Sequence, residues 1–199
     1  MRELFKLTVV LTIICTVAAT ALGLTYNLTK EPIAYQKRLK TVRSVNAVFT
    51  KYGEAGGFQI VGIPFCEDEA AQESCRTFYQ VKHNDEIIGT AFKVFRSGYG
   101  GPLVIMVGVD STDTISGIQV ISHSETPGLG ANITKETFYS QFAGVQAGAS
   151  EWKLRKNGGE IDQVSGATIS STAAMQAVYT GVRFFVQNSQ NIIAPSKGT

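Results

Sequence analysis

Residues 7–24 contain no charged side chain and are apolar apart from Thr8, Thr12, Thr16 and Thr20. A run of this length crosses a bilayer as one helix. Its threonines are no obstacle, because each hydroxyl can bond back to a carbonyl of its own helix. A cleaved signal peptide is the competing reading, since Arg2 and Lys6 give a basic start and Ala19-Thr20-Ala21 resembles a cleavage site. The run is long for a signal peptide, however, and Thr12-Ile13-Ile14 ahead of Cys15 does not resemble a lipoprotein box. A retained anchor over residues 1–29 is the reading adopted, with Cys15 as a thiol inside it.

The rest of the chain is long enough for one well-cored domain, in a total of 199 residues of which 44% are hydrophobic. Taking Arg2, Lys6, Lys30 and Glu3 from the totals of 18 basic and 16 acidic residues leaves 15 of each. A neutral body lacks the basic surface that phosphate backbones require, so no nucleic-acid partner is expected. Cys15, Cys66 and Cys75 make no Cys-x-x-Cys spacing, and the chain has only two histidines, His83 and His123. No metal centre is expected from such a set. Serine-nucleophile elbows, phosphate loops and dinucleotide fingerprints are also missing from their required contexts.

The pattern along the chain divides it into a juxtamembrane segment (30–56), a core domain (57–190) and a polar tail (191–199). A helix is expected from about 31 to 50, with Pro32 in its first turn. A short strand at 58–61 and an exposed acidic stretch at 65–75 come next. Alternation and β-branched content then predict strands at 77–83, 86–97, 102–109 and 114–123, the first two joined by a turn at Asn84-Asp85. Residues 134–143 read as a helix, 151–155 as a strand, and 171–187 as a helix with Ala174, Val178, Val182 and Phe185 on its apolar face. The fold class is α+β: an antiparallel sheet with packed helices, preceded by one transmembrane helix.

Three small-residue segments could hold chemistry. The first is Ser97-Gly98-Tyr99-Gly100-Gly101-Pro102, whose bland reading is a hairpin loop. In the second, His123-Ser124-Glu125-Thr126-Pro127-Gly128-Leu129-Gly130, Thr126 and backbone groups can hydrogen-bond a ligand edge. Leu129 there can cover a ring, and Gly128 and Gly130 allow close approach. The third is Asp162-Gln163-Val164-Ser165-Gly166-Ala167-Thr168, a tight turn feeding a helix. Its bland reading is an ordinary capped helix start. An anion is favoured at such a start, where backbone N–H groups are free.

Taken in order, the three segments resemble the motifs of the FMN-binding domain family. Asp-x-x-Ser-Gly-Ala-Thr matches its flavinylation motif, in which a transferase moves FMN from FAD onto the threonine hydroxyl. The likeness covers nearly the whole chain and is greatest to the G subunits of Rnf electron-transport complexes, with the C subunit of the sodium-pumping quinone reductase as a longer relative. The resemblance implies covalent FMN on Thr168, with Asp162, Ser165, Gly166, Ala167, Tyr99, Gly100, Glu125, Thr126, Gly128 and Leu129 around it. It implies an electron carrier in a membrane complex joining ferredoxin and NAD chemistry to ion movement. No catalysis of its own is expected, and the alternative reading is a membrane-anchored, non-redox interaction module whose glycine-rich loops are only structural. Expected partners are the integral membrane subunits, the other flavin and iron–sulfur subunits, the flavin transferase and the lipid bilayer.

The family's flavin domains lie outside the cytoplasmic membrane, on its periplasmic side in cells with an inner membrane. Lys30, Lys37, Arg38, Lys40 and Arg43 after the span argue the other way by the positive-inside count. We follow the resemblance. In that compartment Cys66 and Cys75 would form a disulfide, and in the cytoplasm they would be free thiols.

Overall fold

A computed structural model describes residues 1–53, 57–66, 75–84, 86–148 and 152–193. The acidic stretch 67–74, Asp85 and the tail 194–199 lie outside the described residues. Two compact units result, Met1–Lys40 and Thr41–Thr199.

The first unit is helical throughout, as part of helix α1 (Arg2–Val48). α1 is long and apolar enough to cross a membrane. Side chains 1–38 are all exposed, and the charge-free stretch 7–24 among them, with Leu11, Ile13, Ile14 and Val17, presents a surface suited to lipid rather than water. Thr8, Thr12, Thr16, Thr20, Thr25 and Thr29 each donate their hydroxyl to the carbonyl four residues earlier, so none is left unsatisfied in hydrocarbon. Where the sequence predicts a new helix starting at residue 31, α1 instead continues through Pro32. The proline withholds one bond from the carbonyl of Leu28, an interruption this helix absorbs.

The second unit is built on a five-stranded antiparallel meander in sequence order: β1 (Phe58–Cys66), β2 (Cys75–His83), β3 (Glu86–Ser97), β4 (Pro102–Asp110) and β5 (Ile115–Ser122). β1 is longer than the predicted 58–61, because the edge position tolerates Gly62 and Pro64. Cys66 lies directly opposite Cys75 in the β1–β2 register, and the two form a disulfide.

Alternation along each strand gives the sheet two apolar faces. One carries Phe78, Phe92, Val94, Ile105 and Val107, and helix α3 (Thr168–Ile193) packs there through Ala174, Val178, Val182 and Phe185. Close approach depends on Gly181, where a Cβ would collide with Cγ1 of Val94. Phe92 and Phe185 stack at 5.4 Å.

The opposite face carries Val81, Ala91 and Met106 and is covered by Val45, Val48 and Phe49. Ala91, Gly108 and Gly117 are direct neighbours across β3, β4 and β5, forming a flat strip. Val48 lies on that strip: a Cβ on Gly108 would stand 2.8 Å from its Cγ2, and one on Gly117 would stand 3.2 Å from its carbonyl oxygen. Just beyond, Tyr52 donates its hydroxyl to Oδ2 of Asp110 at 2.6 Å. Burial first, then that bond and the neighbouring carboxylate charge, push the Tyr52 phenol up to about 12. Burial alone would raise Asp110. Hydrogen bonds from Tyr52, the Thr112 hydroxyl and the backbone N–H groups of Thr114 and Thr112 outweigh it and hold the carboxyl below its ordinary value.

Two predicted elements take other forms. Residues 134–143 are not one helix but a 3-10 turn (Gly130–Thr134), a single turn of helix α2 (Glu136–Tyr139) and a second 3-10 turn (Ser140–Phe142). Together they bury Ile133, Phe138 and Phe142. Of the strand predicted at 151–155, residue 151 lies outside the described residues; in the remainder Leu154 makes an isolated bridge to Ile161 and a 3-10 turn follows at Arg155–Asn157. α3 extends beyond the predicted 171–187 at both ends, taking in Thr168 and reaching Ile193.

Candidate functional site

The three small-residue segments converge at the start of α3. Tyr99, Glu125, Thr126, Leu129, Gly130, Gly166, Ala167, Thr168, Ile169 and Ser170 line a cleft of about 460 Å³, within the usual size range of ligand sites. Its rim is apolar and open: Tyr99, Ile169 and Leu129 are 72%, 57% and 48% exposed.

Thr168 is the first residue of α3. The turn before it is held by Ala167 N–H donating to the Val164 carbonyl, by Ser171 Oγ donating to the Ala167 carbonyl, and by Val164 N–H donating back to Ser171 Oγ. The first backbone bond within the helix runs from Ser171 N–H to the Ala167 carbonyl. The N–H groups of Thr168, Ile169 and Ser170 therefore begin the helix without an intrahelical acceptor, at the positive end of its dipole. Thr168 Oγ1 donates to Oε1 of Gln163 at 3.2 Å. Gly166 has φ of +75°, and a Cβ there would press on Leu129 Cδ2 at 3.1 Å, so a glycine suits both the turn and the packing.

Glu125 connects the first two segments to the first turn of α3. It is 5% exposed. Its Oε2 accepts from the Ser170 hydroxyl at 2.6 Å and its Oε1 from the Gly100 N–H at 3.2 Å. The Glu125 N–H in turn donates to Nδ1 of His123 at 3.3 Å.

Not every residue singled out in the sequence reaches this cleft. Asp162 and Ser165 line an adjoining polar cleft of about 320 Å³ with Asn132, Lys135 and Gln141. The Asp162 carboxylate pairs with Arg155 Nε at 2.8 Å, and the Gln141 amide clamps its backbone N–H and carbonyl. Gly128, at φ of +77°, faces open space, and Gly100 backs onto the Ser124 carbonyl. Ser170, Ile169 and Gln163 join the site although the sequence motifs assign them no role there. Ser170 and Ser171 are both buried at the start of α3, and serines are too common at helix starts for the sequence to signal this. Among the described residues no group of three or more His, Cys, Asp or Glu could hold a metal ion.

Comparison with known proteins gives this geometry its context. The FMN-binding domain family matches residues 98–183, from the Tyr99 loop through most of α3. The G subunit of the ion-translocating oxidoreductase complex of Aliivibrio fischeri is 34% identical over 185 residues, covering 89% of this chain and 88% of that one. The corresponding protein of Methanosarcina acetivorans is 34% identical over 185 residues, covering 92% and 95%. A crystal structure of the C subunit of the Na(+)-translocating NADH-quinone reductase of Parabacteroides distasonis is similar over 60% of this chain and 65% of that one. Its TM-score is 0.47 and its sequence identity 26%. At 34% identity over nearly the full length of both chains, the curated relatives decide the matter: the chain belongs to the family of G subunits of ion-translocating oxidoreductase complexes.

Proposed function

We propose that this protein carries FMN as a phosphoester on Thr168 and relays electrons between other redox subunits of its complex. The observation that carries the reading is the position of Thr168, a hydroxyl on the first residue of a 26-residue helix that opens onto an apolar-rimmed cleft. The residues suit such a group. Three free N–H groups and the helix dipole favour its phosphate by about 0.3–1 kcal/mol, more where partly buried. Tyr99, Leu129 and Ile169 offer apolar surface to a flat ring. FMN supplies the redox chemistry when bound.

For attachment, Thr168 Oγ1 acts as nucleophile on the riboflavin-side phosphorus of FAD, under a flavin transferase. A P–O bond forms to threonine, the pyrophosphate P–O bond breaks, AMP leaves and the hydroxyl proton is released. Gln163 orients that hydroxyl through its amide oxygen. An amide is no base, so the proton acceptor belongs to the transferase.

We place the body on the extracytoplasmic side of the membrane, with α1 as its single anchor. The Cys66–Cys75 disulfide supports that side, because such bonds persist in oxidising compartments. Ion movement and the ferredoxin and NAD steps belong to the other subunits.

The test is in-gel flavin fluorescence after denaturation, with the chain coexpressed with the transferase. Fluorescence should follow the wild-type band, survive in Thr168→Ser and vanish in Thr168→Ala. A fluorescent Thr168→Ala band would refute the assignment.

A further inference from the structure

Among the described residues Glu125 is the only charged side chain that is buried, and both donors it meets are neutral. Burying a carboxylate is costly unless a site is built for it. Here one is built. A Cβ on Gly98 would collide with Oε1, and one on Gly130 would lie 2.5 Å from Oε2 and 2.7 Å from Ser170 Oγ. On Gly100 a Cβ would collide with the Ser124 carbonyl, whose residue leads into Glu125. Three glycines thus serve to seat one carboxyl group. The 2.6 Å bond from Ser170 is a short hydrogen bond from a hydroxyl to the carboxylate. Ser170 lies in the first turn of α3, where the dipole favours an anion.

We infer that Glu125 is a positioning residue with two effects. Its carboxylate ties the 98–101 loop to the first turn of α3, and so fixes Tyr99 on the wall of the cleft that Thr168 also lines. Its negative charge also sets the electrostatic environment of the group bound in the cleft. Both oxygens are engaged by the protein, so the residue acts through the loop, the helix and its field. The second effect rests on the FMN reading; the first does not.

The experiment uses the full chain with Glu125→Ala and Glu125→Gln, in two readouts. The first is hydrogen exchange of the Gly100 amide in a Thr168→Ala background, which carries no covalent flavin. Glu125→Ala should speed exchange about tenfold or more, the equivalent of one hydrogen bond to a charged group. Glu125→Gln should stay within about threefold of the parent, because its carbonyl still accepts from Gly100 and its amide can donate to Ser170. The second readout is the midpoint potential of the flavin in the loaded chain. Glu125→Gln should shift it upward, since a negative charge that opposes electron uptake is gone while the tie remains. A purely structural role would leave that potential where it was. Unchanged Gly100 exchange in Glu125→Ala would overturn the tie, and an unmoved potential in Glu125→Gln would overturn the electrostatic role. If Glu125→Ala does not fold, Glu125→Gln still decides the second effect, and faster exchange there by tenfold would overturn the geometry of the first. A wild-type chain that takes no flavin would defeat the FMN reading, and the exchange result would still decide the tie.

Discussion

Phe49 tests how the end of α1 is used. It is fully buried, packed with Val45, Val48, Val81, Ala91 and Met106 on the sheet face opposite α3. Room for its ring comes from Gly89, where a Cβ would lie 2.7 Å from Phe49 Cε1. Phe49→Ala removes a whole buried ring from a site that collapses poorly, since the sheet against the ring at Gly89 is bare backbone. The expected loss is about 3–5 kcal/mol. For a domain of this size each kcal/mol moves the midpoint by roughly 2–4 °C, so Tm should fall by about 6–20 °C. Thermal unfolding of the full chain in detergent, followed by near-ultraviolet circular dichroism, measures it. Adding Gly89→Ala should not restore the loss, because its Cβ would also run into the Val109 carbonyl. Val42→Ala, at a position 43% exposed on α1, should cost no more than about 0.5 kcal/mol. A Phe49→Ala loss below about 1 kcal/mol would refute the claim that this segment is core rather than tether.

Two further expectations concern the periphery of the fold. The Tyr52–Asp110 pair should add stability in a bounded pH window. Asp110 is depressed in the folded state, so its contribution is present above the unfolded carboxyl value near 4 and fades as pH falls through the folded one. Tyr52 is raised to about 12, so its contribution is complete below the unfolded value near 10 and fades as pH rises through 12. Tyr52→Phe should cost about 0.5–1.5 kcal/mol at neutral pH and remove the alkaline limb, read from denaturant midpoints across pH. Replacing Cys66 and Cys75 together by serine should cost about 2–3 kcal/mol under oxidising conditions, as expected for a cross-link spanning a sequence separation of 9. With reductant present, the wild type and the double variant should unfold alike.

The sheet is legible because half-buried antiparallel strands announce themselves by period two, and β3 has the predicted bounds. β1 reads too short in the sequence for a reason equally local: Gly62 and Pro64 look like breakers, and only the edge position makes them harmless. Pro32 misleads in the same way, suggesting a helix start where α1 runs on. The 130–142 segment has a helical density of aromatics, yet its bonds are mostly 3-10, which period alone does not separate from an α-helix. At the site, the glycine-rich segments and Thr168 stand out in one dimension, and their convergence on a single cleft is a matter of tertiary structure. Ser170 does not stand out, because a serine at a helix start is commonplace and its partner Glu125 is 45 residues away in sequence. Asp162 faces Arg155, a contact no motif encodes.

Intact mass of the purified full chain, coexpressed with a flavin transferase, tests the central claim most directly. The account predicts an added mass of FMN less one water in wild type, absent from Thr168→Ala. An unmodified wild-type chain in the presence of an active transferase, or a modified Thr168→Ala chain, would contradict it.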